Sequence, residues 1–243
     1  MSEKQKLLDW VDNIEFGIIL EQNWMLEEVI KNFPGGQDFY CFSIDRNVYV
    51  MKEDNKKFAF VQSNGSASTA CYVEELLKRH VKRVYRVGTC GSLQDNINIG
   101  DAVLSIAAIR DEGTSTQYIP SYFPAVSEPQ RLIDLYNFLL KEGIPIHKGI
   151  TWTTDGRFVE SNEKISQFSK LDIKNVDMET STVLVVCSIH KIPGISIGVV
   201  TDKPIKDINK EFKGTMEDLK QIKSISEERI IRIIQTIINF ELQ

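Results

Sequence analysis

The stretch "GISIGVVTD", Gly194 to Asp202, limits the fold more than any other part of the chain. It is almost continuously apolar, and a short apolar run of this kind reads as a strand covered on both faces, as in a sheet with helices on either side. Similar runs recur along the chain and alternate with segments of helical spacing. "FGIIL" precedes the helical "MLEEVIKNF", and "VKRVYRVG" follows the amphipathic "STACYVEELLKRH". "GDAVLSIAAIRD", entered through Gly100, precedes the helix "QRLIDLYNFLLKEG", which Gly143 stops. "IHKGITWTTD" precedes the mostly apolar helix "METSTVLVVCSIHK", and "SISEERIIRIIQTIINF" closes the chain as an amphipathic helix. "NVYVMKEDNKKFAFVQS" reads as a hairpin turning at Glu53-Asp54-Asn55. Ser68 or Thr69 is expected to cap the helix after it. Alternation without a repeat, a linker or a low-complexity tract predicts one α/β domain over residues 1–243, with a mixed central β-sheet flanked by helices.

Charge and cysteine usage narrow the function classes. A net charge of −5 with scattered acids and bases argues against a nucleic-acid partner, which calls for a basic stripe. No apolar stretch reaches membrane-spanning length, and "MSEKQKLLDWVDNIEF" has no apolar core of the signal-peptide kind, so a cytoplasmic protein is expected. Cys41, Cys71, Cys90 and Cys187 are widely spaced beside apolar runs, which predicts buried free thiols and no metal site.

One strand carries a charge where its neighbours are apolar. In "YRVGTCGSLQ", Arg86 must be paired, because an unpaired buried charge is costly. Gly88 and Gly91 let the backbone bend and approach something closely. Thr89, Ser92 and free N–H groups complete a set that suits an anion. A tight turn whose arginine bonds backbone carbonyls explains the same ten residues equally well. Polar residues also cluster at the ends of other strands, from Arg110 to Thr116, Thr153 to Arg157 and Thr201 to Lys203. Ligands of α/β folds bind at such strand ends.

Three linked motifs carry a resemblance. "RVGTCGSLQDNINIGDAVLSIAAIRDEGTS" with "FPAVSEP", then "NVDMETSTVLVVC", then "GVVTDK", resemble the nucleoside phosphorylases that include uridine phosphorylase and hexameric purine nucleoside phosphorylase. The resemblance runs in consistent order from about Arg46 to Lys203. It implies a nucleoside phosphorylase-like fold and reversible phosphorolysis of a nucleoside to free base and ribose 1-phosphate. Phosphate is then a co-substrate and no cofactor is needed. Arg86 and Thr89 are implied to hold phosphate, helped by the Gly88 amide, with Arg46 lent to a neighbouring subunit's site. Met178 packs on the ribose and Glu179 binds its hydroxyls in this reading. Asp202, with Asp177, Arg157 and Phe158, is assigned to the base. The shared phosphate site implies a homo-oligomer, a dimer or a trimer of dimers.

The base is read from leaving-group chemistry. A purine departs well when its N7 accepts a proton, which a carboxylic acid with a pKa raised by burial can supply, and Asp202 is the candidate. Uridine phosphorylases typically use a Gln-x-Arg pair, and near those places this chain has Ser161 and Glu163. Purine nucleosides are therefore expected ahead of uridine, although "IRDEGTS" is closer to the uridine branch. Arg86→Ala is expected to abolish phosphate-dependent turnover with the fold largely intact.

The resemblance breaks at the first strand. Where the family carries Gly-Asp-Pro-x-Arg, this chain has Glu21, Gln22, Asn23 and Met25 at the glycine, aspartate, proline and arginine positions. A phosphate arginine is missing and a carboxylate is added. Hydrolysis by water, with Glu21 as a water-activating group, and nucleoside binding without turnover stand as alternatives to phosphorolysis.

Overall fold

A computed structural model describes residues 12–33, 35–41, 46–53, 55–204 and 216–243. Among them the strands are β1 (Phe16–Leu20), β2 (Gln37–Cys41), β3 (Arg46–Glu53), β4 (Lys56–Gln62), β5 (Val84–Ser92), β6 (Ala102–Asp111), β7 (Ala125–Val126), β8 (Ile146–Thr154), β9 (Asn175–Asp177) and β10 (Gly194–Asp202). The helices are α1 (Asn23–Asn32), α2 (Ser66–Lys78), α3 (Ser115–Tyr118), α4 (Pro129–Lys141), α5 (Asn162–Lys170), α6 (Thr180–Ile189) and α7 (Met216–Leu242). The expected strand–helix alternation is present, and the sheet is mixed. β2, β3 and β4 form an antiparallel meander, and β4, β1 and β5 run parallel. From β5 the sheet curls back on itself: β5 pairs β9, β9 pairs β8, β8 pairs β6, β6 pairs β10 and β10 pairs β5. The ring brings the ends of β5, β8, β9 and β10 to one place.

Both faces are covered, which explains why the strands lack a polar side. Within β1, Phe16, Ile18 and Leu20 face a cluster with Ile230, Ile233, Ile234 and Ile237 of α7. Ile19 faces the opposite cluster with Tyr72, Val73 and Leu76 of α2 and Val183 and Val186 of α6. Successive side chains point to opposite faces, so a strand sandwiched between helices must be apolar throughout. The last turn of α7 is tied to β5 by charge. Glu241 accepts from the Tyr85 hydroxyl, pairs with Arg131, and pairs with Arg83 at 2.7 Å.

Two local expectations change. Helix α2 starts at Ser66 with Gly65 as its N-cap, at φ 79°, so neither Ser68 nor Thr69 caps it. Those two hydroxyls instead bond Ser63 Oγ, each at 3.0 Å. Cys71 is exposed rather than buried, because α2 turns Ala70, Tyr72 and Val73 inward and leaves position 71 outside. Cys90 and Cys187 are buried free thiols, and the Cys41 side chain lies outside the described residues. The short β9 and the helix α5, capped by the Ser161 hydroxyl, are additions to the sequence reading.

Candidate active site

The registers of β1, β5 and β10 set the site. Leu20 lies opposite Val87, so Glu21 emerges beside Gly88 and Thr89. A Cβ on Gly88 would lie 2.6 Å from Glu21 Oε2 and 2.7 Å from Arg86 Nη2. Glycine is required here for close approach, as the sequence implied, but what approaches is a side chain of the same protein. Glu21 Oε2 accepts the Thr89 N–H at 2.6 Å and Arg86 Nη2 at 3.1 Å. The Thr89 hydroxyl lies 2.9 Å from Oε1 and 3.0 Å from Oε2. A carboxylate therefore sits on the groups that were expected to hold an anion.

Arg86 is the centre of this arrangement and is 1% exposed. Its Nη2 donates to Glu179 Oε2 at 2.7 Å and to the Thr89 carbonyl at 3.1 Å. Its Nη1 stands 3.2 Å from Asp177 Oδ2, an ion pair without hydrogen-bond alignment. Three buried carboxylates thus share one guanidinium. Burial disfavours the cation, but Asp177, Glu179 and Glu21 outweigh this and push the Arg86 pKa up. Burial pushes Glu179 well above the usual carboxylate range; Arg86 opposes the rise, and Glu21 and Asp177 add to it.

These groups line a cleft of about 440 Å³. Its described lining holds five carboxylates, Glu21, Glu160, Asp177, Glu179 and Asp202, and one cation, Arg157. Such a wall favours positive charge developing on a bound molecule. A larger groove of about 640 Å³ between α1 and α7 shares none of the motif residues.

The sequence pattern of the phosphorylase superfamily matches residues 15–239. The chain belongs to this superfamily. It is 31% identical over 163 residues to the uridine phosphorylase of Haemophilus influenzae, covering 60% of this chain and 64% of that one. It is 32% identical over 155 residues to the DeoD-type purine nucleoside phosphorylase of Buchnera aphidicola subsp. Schizaphis graminum, covering 63% of this chain and 66% of that one. The matched stretches thus span just under two thirds of these relatives' own length. In fold it is similar to uridine phosphorylase from Vibrio fischeri, with a TM-score of 0.79 at 21% identity over 96% of this chain and 93% of that one.

Against the superfamily's motif positions, the cleft gathers most of the residues singled out in the sequence. Thr89, Met178, Glu179, Asp177, Arg157, Phe158 and Asp202 all line it. Arg86 lies behind it, reached through Glu21 and Glu179. Glu179 sits at the N-cap of α6 without capping it; its carboxylate accepts the Gly65 N–H at 2.6 Å and bonds Arg86. Asp177 is turned toward Arg86 and the hydroxyls of Thr153 and Thr180. Arg157 and Phe158 stand at the mouth, Phe158 being 95% exposed. The Arg46 side chain lies outside the described residues. Trp152 is core, with its indole N–H 2.8 Å from Asp111 Oδ2.

One expectation about Asp202 fails. It is exposed rather than buried, because a bulge between Val200 and Asp202 swings the strand end outward. Beside Glu179, a second acid in the cleft is raised by burial: Glu160, which the sequence reading passed over. Burial pushes its pKa up to about 7, Asp202 adds to the rise, and Arg157 opposes it. Its only signal in the sequence is its place in "TTDGRFVESNEK", a loop whose fold the sequence did not specify.

Proposed function

We propose that this protein cleaves the N-glycosidic bond of nucleosides, with purine nucleosides preferred over uridine. The observation that carries this reading is the cleft itself, which sets five carboxylates against one arginine. Breaking the bond leaves cationic character on the ribose and negative charge on the base. Glu179 and Met178 meet the ribose, Glu179 through its hydroxyls. At the base end, Glu160 carries a proton for part of the time near neutral pH and shares the cleft with Asp202. A proton from this pair neutralises a departing purine at N7. No described Gln-x-Arg pair supplies the contacts that uracil needs. In family terms the protein is a pentosyl-transferring enzyme of nucleoside salvage, requiring no cofactor.

Phosphorolysis is the reading favoured by relatives named uridine phosphorylase and purine nucleoside phosphorylase. It requires Glu21 to leave Arg86 and Thr89. A homodimer at minimum follows from the family's shared site, with Arg46 reaching the partner's cleft. Phe158 and Val159, 95% and 82% exposed, suit a covered mouth. The free thiols of Cys71, Cys90 and Cys187 support a cytoplasmic setting, and no helix among the described residues is long and apolar enough to cross a membrane.

The test is a panel of inosine, guanosine, adenosine and uridine, with base release followed by chromatography. Purine release faster than uracil release is expected, and uridine turnover exceeding that of all three purines overturns the preference. Asp202→Asn is expected to slow purine cleavage by about 10²-fold, the low end for a general acid. Sedimentation of a fully active monomer at micromolar concentration overturns the dimer.

A further inference from the structure

We propose that Asp111 and Lys164 are positioning residues: by clamping α5 to the ends of β6 and β8, they hold the loop of residues 155–160 at the cleft and so keep Glu160 in place for the departing base. This rests on the reading of Glu160 as a proton source. Glu160 directly precedes Ser161, the N-cap of α5, whose hydroxyl accepts the Lys164 N–H at 3.2 Å. The seat of α5 therefore decides where Glu160 stands. Ile165 and Phe168 of α5 pack in a cluster with Trp152 of β8, and the Trp152 and Phe168 rings meet edge to face at 5.0 Å. Trp152 is 1% exposed, and a buried indole N–H needs an acceptor. Asp111 Oδ2, at the end of β6, accepts it at 2.8 Å, and the same oxygen pairs with Lys164 Nζ. Lys164 Nζ also lies 5.1 Å from the centre of the Trp152 ring. One joint thus ties α5 to two strands.

The other end of the loop is fastened to the same stretch. Asp155 Oδ2 accepts the Gly113 N–H at 2.9 Å, two residues beyond Asp111. Within the loop the bonds are local: the Gly156 N–H donates to Thr154 Oγ1 at 3.2 Å, and the Val159 N–H donates to the Gly156 carbonyl at 2.9 Å. Phe158 and Val159 are exposed and bury little, so the loop takes its place from its two ends. Between them Arg157 and Glu160 line the cleft, facing Asp202 of β10, with Glu21, Asp177 and Glu179 lining the same cleft. The state of Glu160 depends on that placement. Burial raises its pKa, Asp202 adds to the rise and Arg157 opposes it. A loop that swings off the cleft returns the carboxyl to water and takes it away from Asp202. Both changes lower its pKa toward the ordinary glutamate value of about 4.3. The released acid loses its proton at lower pH, so the alkaline fall in purine cleavage moves to lower pH.

Two variants separate the parts of the joint. Lys164→Met removes the charge and keeps an apolar stem over Trp152, and Asp111→Asn keeps an acceptor for the indole while losing the ion pair. The first readout is independent of turnover: the Glu160 carboxyl is titrated by carbon NMR in the unliganded protein, its signal assigned by its loss in Glu160→Gln. A midpoint near pH 7 is expected for the wild-type protein and one below about pH 6 for both variants, with melting temperatures within about 4 °C of wild type. A wild-type midpoint in both variants overturns the clamp. The second readout compares inosine with p-nitrophenyl β-riboside, whose leaving group departs without a proton. At pH 7 inosine turnover is expected to fall between about 5-fold and about 10²-fold with KM little changed, as the protonated fraction of Glu160 drops, while the p-nitrophenyl substrate changes by less than about 2-fold. Equal losses on both substrates overturn the positioning role. Wild-type purine cleavage by Glu160→Gln removes Glu160 as the proton source, and the NMR midpoints still decide whether Asp111 and Lys164 hold it at the cleft.

Discussion

Replacing Arg86 with methionine keeps much of the side chain's volume and removes its charge. The wild-type guanidinium is 1% exposed and neutralises three carboxylates within 2.7–3.2 Å, so the substitution strands Glu21, Asp177 and Glu179. Removing one partner of a buried ion pair costs about 3–5 kcal/mol. For a chain of this size each kcal/mol shifts the melting temperature by about 2–4 °C, giving a fall of about 6–20 °C. This revises the expectation that an Arg86 substitution would leave the fold intact. The sign of the pH dependence also follows. Arg86 opposes the rise that burial imposes on Glu179, so without it that carboxyl is held still further above its unfolded value and the folded state binds more protons between the two pKa values. Stability is then lost as pH rises through those values, and the deficit against wild type is larger at about pH 8 than at about pH 5. Urea unfolding of both proteins at the two pH values measures it. A deficit below about 1 kcal/mol, or one equal at both pH values, refutes Arg86 as the neutralising centre.

Glu160→Gln is expected to slow purine cleavage by about 10²-fold and to erase the alkaline fall of the pH–rate profile. In the wild-type protein that fall is centred near pH 7, because the protonated acid is the active form and its pKa is about 7. An unchanged profile rules Glu160 out as the proton source. Gly88→Ala puts a Cβ 2.6 Å from Glu21 Oε2, an overpacking that costs about 1–3 kcal/mol. Wild-type stability in thermal unfolding contradicts the close approach. Glu241→Ala leaves Arg83, Arg131 and Tyr85 without their shared acceptor and is expected to cost about 3–5 kcal/mol while nucleoside specificity is kept. Denaturation at constant m-value measures the loss, and a loss under about 1 kcal/mol removes Glu241 as the tie between α7 and β5.

Much of this protein was legible in its sequence, for local reasons. Strands such as Gly194–Asp202 and Phe16–Leu20 are almost continuously apolar because both faces of the sheet are covered, and that leaves a direct trace in the chain. Arg86 was marked as a residue needing partners because it interrupts such a run, and its three carboxylate partners were found. The motif around Met178 and Glu179 was readable for the same reason: polar residues open an otherwise buried helix.

The sequence did not decide which groups meet. Glu21 lies 65 residues from Arg86 and Glu179 lies 93 from it, and only the parallel registers of β1, β5 and β10 with the β9–α6 turn bring them together. Asp202 and Glu160 differ in burial because a bulge ends β10, while a loop of unpatterned sequence folds back over the cleft; neither event has a periodic signature. Residue type marked Gly88 and Thr89 as groups suited to an anion, with a tight turn as the equal alternative. That the anion beside them is Glu21 was decided by tertiary structure, because occupancy depends on distances between segments far apart in the chain.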